Sequence, residues 1–234
     1  MTGVQTCALP IWADTEKKLF YAFAGTLAGD NIYFDRDLIA AGSLKSATDL
    51  LNPKWTGKIV IQDPRAEGKG LTDILVMSLA YGDKLVEQLL RTQKPAVTRD
   101  RRQLVEWLVR GGYPIAIGLN EYILIHFQKK GVGKNVTAVD DPKTISYWAS
   151  GSSGIALFNR APHPNAAKVY INWLLSRRGQ LEWAKTQTNS RRVDVPPLEP
   201  KSAMQPGHVY HNVQAEDMIP QRRRIQQLAK ELLR

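Results

Sequence analysis

The stretch "GKIVIQDPRAEGKGLTDILVMSLAYGD" (57–83) constrains this chain more than any other. "IVI" is apolar without alternation, which marks a strand buried on both faces. Turn residues precede it in "NPKWTG", and a polar loop with Pro64, Gly68 and Gly70 follows. After the loop, Leu71, Ile74, Leu75 and Ser78 to Leu79 recur at helical spacing, and Gly82 offers a stop. A buried strand handing over to an apolar-faced helix is a βα unit, and the pattern continues. Leu85, Val86, Leu89 and Leu90 predict a second helix and "PAVTR" a short strand. Leu104, Val105 and Leu108 predict a third helix, ending at Gly111-Gly112 directly before the strand "YPIAIG". The fold class is therefore α/β.

Later in the chain "SGSSGIALF" runs from a Gly/Ser segment into a strand. "APHPNAAKVYINWLLSRRG" predicts a helix with Ala166, Val169, Tyr170, Trp173 and Leu174 on one side and Arg177-Arg178 near its end, favourable for the helix dipole. From Val193 the chain is Pro-rich. "RIQQLAKELLR" then regains an amphipathic face at Ile225, Leu228, Ala229, Leu232 and Leu233, suited to docking on its own protein or to a membrane surface.

With 43% hydrophobic residues in 234, the chain can build a packed core. No run approaches the length of a membrane span. The net charge of +10 invites anions, but it is spread through short pairs and triplets such as "DRRQ" and "PQRRRIQQ". No basic block with interleaved aromatics argues for nucleic acid, so none is expected as a partner.

Two constellations carry chemistry. In "IVIQDPRAEGKGLTD", Asp63, Arg65, Gly68 and Gly70 sit where a strand ends and a helix begins. Ligands of open α/β sheets gather at the carboxyl ends of strands, and a helix start presents backbone N–H groups to an anion. Arg65 can grip a carboxylate or phosphonate with two parallel hydrogen bonds. The alternative is that Asp63 caps the turn and Arg65 is solvated. No Gly-Lys-Ser/Thr follows at the offset of a phosphate-binding P-loop. In "PIAIGLNEYIL", Asn120, Glu121 and Tyr122 directly follow a buried strand, where they can face a cleft or, for Asn120, cap a helix.

Catalytic patterns are missing. Ser152 and Ser153 in "GSSG" lack a nucleophile elbow, and His208 and His211 lie three apart in a Pro-rich tail without further ligands. The expectation is a protein that is not an enzyme and needs no cofactor. An enzyme or a regulator's effector domain on a related two-lobed fold is the alternative.

Taken in order, "NIYFDRDLIAAGSLKSATDLLNPKWTGKIVIQDPR", "YPIAIGLNEY" and "GSSGIALFNRAPHPNAAKVYINWLLSRRGQ" resemble the extracellular solute-binding proteins of bacterial ABC importers, a group that includes ferric-iron, phosphonate and polyamine receptors. The resemblance runs from about Leu19 to Pro197. It implies a type II periplasmic-binding-protein flytrap: two lobes joined by crossing strands, a solute in the cleft, and delivery to an inner-membrane ABC permease from the periplasm. On that plan 13–31 ends the first lobe and crosses over, 32–147 forms the second lobe, 148–192 returns to the first, and 193–234 is a tail with a terminal helix. Ferric receptors of this group often carry adjacent tyrosines after the strand corresponding to "PIAIG". Tyr122 stands in the matching place but Ile123 follows it, so the resemblance implies a small anionic or ferric-complex solute first and free ferric iron second. Tyr122 and Glu121 would be the ligands if the ion is bound directly; Arg65, the helix start near Gly70 and Tyr147 would hold an organic anion.

The opening "MTGVQTCALPIW" has no charge before its apolar residues and breaks at Pro10, unlike a secretory signal. Back-translated, Met1 to Ile11 matches a common sequencing adapter. The expectation is that the natural chain begins upstream of Ala13 with its signal peptide, that most of the first lobe is missing here, and that Cys7, the only cysteine, is foreign. Such a flytrap is expected to be incomplete and poorly soluble, whereas the full-length protein would be monomeric.

Overall fold

The computed structural model describes residues 11–12, 20–23, 25–148, 154–155, 157, 161–185, 189–190, 192, 194–196, 209–211, 213 and 216–233, with the backbone alone at 11–12, 20–23, 25–29, 145–148, 154 and 210. The opening stretch up to Pro10 and the "GSS" at 151–153 lie outside the described residues, as does His208. The chain divides into two compact units: Met1–Gly29, Tyr147–Pro206 and Gln214–Met218 form one, and Asp30–Ser146, Gly207–Val213 and Ile219–Arg234 form the other.

In the first unit, β1 (Ile11–Trp12) pairs antiparallel with β2 (Phe20–Phe23), and β3 (Gly25–Gly29) follows. The other unit holds β4 (Ile32–Asp35), β5 (Ile59–Gln62), α1 (Lys69–Tyr81), α2 (Asp83–Thr92), β6 (Ala96–Thr98), α3 (Arg101–Val109), β7 (Ile115–Ile117), α4 (Glu121–Lys129) and β8 (Val136–Ala138). Its five strands make one sheet in the order β6-β5-β7-β4-β8. β5 runs parallel to both β6 and β7, whereas β4 runs antiparallel to β7 and β8.

This sheet is covered on both faces, as its unbroken apolar strands demand. Successive side chains of a strand point to opposite faces, so Ile59 and Ile61, Ile115 and Ile117, and Ile32 lie on one side. There they meet α1, α2 and the terminal helix. Val60, Ala116 and Tyr33 lie on the other, against Leu104, Val105 and Leu108 of α3 and Leu124 of α4. The helical faces read from the sequence at Leu85 to Leu90 and at Leu104 to Leu108 are buried. α1 is buried nearly all round, from Gly70 to Ser78. Gly82 stops it with a positive φ of 85°.

β9 (Ile145–Trp148) comes next, then β10 (Gly154–Ile155), which pairs antiparallel with β2 in the first unit. α5 (Pro164–Leu174), α6 (Arg177–Ala184) and β11 (Asn189–Ser190) also belong to that unit, with β11 antiparallel to β3. Two expectations change here. Arg177 and Arg178 do not close α5; Ser176 caps a new helix by accepting from the Gly179 N–H at 3.2 Å, so both arginines open α6. The face of α5 read as apolar is solvent-facing at Val169, Tyr170 and Trp173, and only Leu174 is buried.

β12 (Tyr210–His211) pairs parallel with β9 through Ile145 and Ser146, and α7 (Ile219–Leu232) ends the chain. α7 docks on α1 and α2, burying Ile225 and Ala229 and packing Leu228, Leu232 and Leu233 on the same core. Of the two roles its amphipathic pattern allowed, it takes the internal one.

Candidate functional site

The carboxyl ends of β5 and β7 are neighbours in the sheet, and the loops that leave them carry most of the residues singled out from the sequence. Their contact is made by missing side chains. A Cβ on Gly70 would lie 2.0 Å from the Gln62 carbonyl oxygen, and one on Gly118 would lie 2.7 Å from the Gln62 Cβ and 2.9 Å from the Gly70 Cα. Real atoms do not approach so closely, so only glycines let the start of α1 rest on both strand ends. The Gln62 side chain completes the join, its Oε1 accepting from the Gly70 N–H at 2.9 Å. Gly68 stands just before α1 at a φ of 154°.

Asp63 and Arg65 are brought together, but with each other. Arg65 Nε donates to Asp63 Oδ1 at 2.8 Å and its Nη2 to Oδ2 at 3.2 Å, while Arg99 Nε donates to Oδ2 at 2.8 Å. The remaining Arg65 nitrogen, Nη1, donates to the Leu233 carbonyl of the C-terminal segment at 2.6 Å. Gln226 of α7 returns a bond to the Arg65 carbonyl at 3.0 Å, and Arg222 pairs with Glu67. The fork expected to grip a solute anion is thus occupied by protein oxygens. The reason is proximity: a buried carboxylate two residues away offers the bidentate geometry a guanidinium favours. Burial pushes the Asp63 carboxyl upward, but hydrogen bonds from the Arg65 and Arg99 side chains and from the Arg65 N–H outweigh it, and its pKa falls to about 2.

On the other side of the Gly70 join lies a buried carboxylate that sequence reasoning missed. Asp73 is fully buried on α1. Its Oδ2 accepts from the Gly118 N–H at 3.0 Å and its Oδ1 from Lys69 Nζ at 2.9 Å; the same ammonium donates to the Asp30 carbonyl at 3.0 Å. Burial drives its pKa up to about 7 against the pull of Lys69 and Gly118. Tyr33 lies in this neighbourhood, its phenol raised well above the ordinary value by burial and then by the charges of Glu121, Asp30 and Asp73. The only sequence signal for Lys69 and Asp73 is their four-residue spacing on a helix.

Asn120, Glu121 and Tyr122 begin α4. Asn120 holds the N-cap position through its carbonyl, which accepts from the Ile123 and Leu124 N–H groups at 3.0 and 3.2 Å, while its side chain makes no capping bond. Glu121 is exposed. Tyr122 is 57% exposed, and its ring stands 5.8 Å from the His126 ring one turn along. Together with Arg102, Ile123, Phe127 and Lys130 they line a groove of about 260 Å³ between α3 and α4. The Arg102 guanidinium lies 5.6 Å from the centre of the Phe127 ring. Ile123, which stands where a second tyrosine was sought, packs on the core beneath α3 and α4. Tyr147 falls on β9, where side chains lie outside the described residues.

Among the described residues, no group of three or more His, Cys, Asp or Glu is placed to hold a metal ion, and no helix is long and apolar enough to cross a membrane. The arrangement is a protein-satisfied scaffold after β5 beside exposed polar and aromatic groups after β7.

Known proteins share this architecture. The chain is 26% identical over 140 residues to an uncharacterized protein of Haemophilus influenzae, a match covering 58% of this chain and 38% of that relative's length. It superposes on apo ferric ion-binding protein A of Pasteurella haemolytica with a TM-score of 0.74 at 16% identity, over 100% of this chain and 75% of that one. A periplasmic thiamin binding protein gives 0.71 at 14% identity, over 99% and 71%. At such identities the likeness establishes the periplasmic-binding-protein fold alone. The sequence model of one family, described as bacterial extracellular solute-binding protein, matches residues 34–186, which is most of the chain, and the protein belongs to that family.

Proposed function

We propose that this protein is the solute-capturing component of an ABC importer, acting outside the inner membrane and handing its solute to a permease there. The observation that carries the reading is the family match over residues 34–186, which spans both strand-end loops. A binding protein of this kind does no covalent chemistry. Its task is differential affinity: hold a small solute, and present the bound form to its partner.

The solute class follows from the exposed half of the site. Tyr122, His126 and Phe127 offer ring faces and Lys130 a positive charge around one groove, where Arg102 is paired with Glu106 at 3.0 Å. Glu121 adds a carboxylate at the same helix start. That set suits a small organic anion or a ferric complex whose organic ligands supply oxygen donors and negative charge. Bare ferric ion is the weaker fit, because Ile123 packs inward where a second phenolate would be needed. The positive balance of the chain steers anions toward it.

The test is a ligand panel read by thermal unfolding: ferric citrate, a phosphonate, fructose 6-phosphate, thiamin and spermidine, each against purified protein. A solute present at a hundred times its Kd stabilises by about 2.7 kcal/mol, which moves a melting temperature measurably. Stabilisation by ferric citrate or an organic anion, reduced in Glu121→Gln for the ferric case, supports the reading. Stabilisation by spermidine alone overturns the anionic class, and no response to any solute counts against solute capture by this chain.

A further inference from the structure

The loops after β5 and β7 come from sequence positions about fifty residues apart and meet through a pair of glycines just beyond the last ladder pair, Ile61 and Ile117. One buried ion pair reaches across that contact. Asp73 sits in the first turns of α1 and reaches across to the Gly118 N–H at 3.0 Å, the residue that leads from β7 to Asn120 and α4. Lys69, one turn earlier, bonds the other carboxylate oxygen at 2.9 Å and the Asp30 carbonyl at 3.0 Å, just before β4. Lys69 and Asp73 together therefore touch the start of α1, the exit of β7 and the approach to β4.

We propose that Lys69 and Asp73 are positioning residues that lock these three segments into one platform, so that the exposed groups after β7 keep a fixed place relative to the loop after β5. That the platform holds a solute rests on the function proposed above; the lock itself does not. Four features carry it. The carboxylate is fully buried, both its oxygens are used, the ammonium is shared between two segments, and the glycine contact beside it has no side chains of its own to interlock.

The lock is also sensitive to protons. The groups that bear on Asp73 are Lys69 from its own helix, Asp30 at the approach to β4 and Tyr33 on β4, with Glu121 acting on Tyr33 from α4. Burial places the Asp73 transition at about 7. The buried carboxyl holds its proton more tightly than an exposed one, so below that pH any opening that exposes Asp73 carries the added cost of releasing the proton.

Amide hydrogen exchange of the full chain tests the lock without any solute. In Lys69→Met, segments 62–73 and 115–122 should lose protection together by about tenfold while 96–109 stays as in wild type. Lys69→Arg should restore both, because it returns the charge and the reach. Loosening confined to 62–73, or failure of Lys69→Arg to restore protection, overturns the proposal. If Lys69→Met does not fold, the pH dependence decides. Protection of both segments in wild type, corrected for intrinsic rates, should rise together as pH drops through about 7, because opening then exposes a carboxyl that must release its proton, and in Asp73→Asn it should not; a flat wild-type profile overturns the proposal. Ferric citrate titrations of the same variants separate the two claims. Affinity lowered about tenfold in Lys69→Met and recovered in Lys69→Arg supports the platform, whereas affinity untouched while both segments loosen overturns it. If wild type ignores ferric citrate, that solute is excluded and the exchange result alone decides the lock.

Discussion

The loop after β5 and the loop after β7 leave the same end of the same sheet, yet they spend their polar groups differently. After β5, Gln62, Asp63 and Arg65 are engaged by Gly70, Arg99, Leu233 and each other. After β7, Tyr122 is exposed and lines, with His126, Phe127 and Arg102 of α3, the polar and aromatic groove. Both loops looked equally suited to a ligand when judged by position alone. The difference teaches that a strand-end location makes chemistry available, and the long-range partners decide whether it is spent on the fold. Each loop can be perturbed to see whether the division holds.

The largest effect is expected at the seam. Gly70→Ala places a methyl 2.0 Å from the Gln62 carbonyl oxygen, and backbone rather than a flexible side chain must yield. Overpacking of this kind costs about 3 kcal/mol. Gly131→Ala is the control: nothing lies within 4 Å of an added methyl, so its cost of about 1 kcal/mol comes from its φ of 85° alone, a strain that Gly70 does not share. Urea unfolding of the two variants measures the difference. Equal costs would mean that the seam is free to open and that the β5 loop is no more a scaffold than any surface turn.

How much of this could be read from the sequence depends on the range of the contact. The βα units were legible because periodicity is local: Leu85 to Leu90 and Leu104 to Leu108 mark their buried faces by spacing alone. The docked terminal helix was legible for the same reason at Ile225 and Ala229. Arg65 was not: its partner Asp63 lies two residues away, but that the carboxylate is buried and that the remaining nitrogen meets the Leu233 carbonyl 168 residues off are settled only by the fold. Asp73 was hidden by its setting inside an apolar helix, where its partners are a backbone N–H and a lysine that reads as solvated. The exposed α5 face shows the converse: spacing declares which side is apolar, not whether anything covers it.

A smaller, pH-resolved effect separates the two buried carboxylates. Asp63 has a folded pKa of about 2 against an ordinary 3.8, so the unfolded chain binds its proton first as pH falls. Its contribution is present above pH 3.8 and is lost as pH drops toward 2, and the shift corresponds to roughly 2 kcal/mol. Asp73, at about 7, has the opposite sign. Between 3.8 and 7 the folded chain keeps a proton that the unfolded chain has released, so stability declines as pH rises through that window and levels off above it. Unfolding free energies from pH 2 to 8 should show both limbs in wild type. The acid limb should shrink in Asp63→Asn and the neutral one in Asp73→Asn. A profile in which one substitution flattens both limbs would mean the two carboxylates belong to a single network rather than to separate sides of the Gly70 seam.

The smallest effect on stability is expected where the effect on binding should be largest. Tyr122 is more than half exposed, and its ring contact with His126 survives removal of the hydroxyl. Tyr122→Phe should therefore change unfolding free energy by less than about 0.5 kcal/mol, as surface substitutions usually do. If the phenol contacts the solute, the same variant should bind a responsive solute about tenfold more weakly, the loss of one hydrogen bond or metal–oxygen contact. Arg99→Ala is the matched probe of the other loop: it removes a hydrogen bond to Asp63, so it should lower stability while leaving affinity within about twofold, since its partner is the fold. Loss of affinity in Arg99→Ala with none in Tyr122→Phe would reverse the division, making the loop after β5 the one that faces the solute and the groove between α3 and α4 a surface feature.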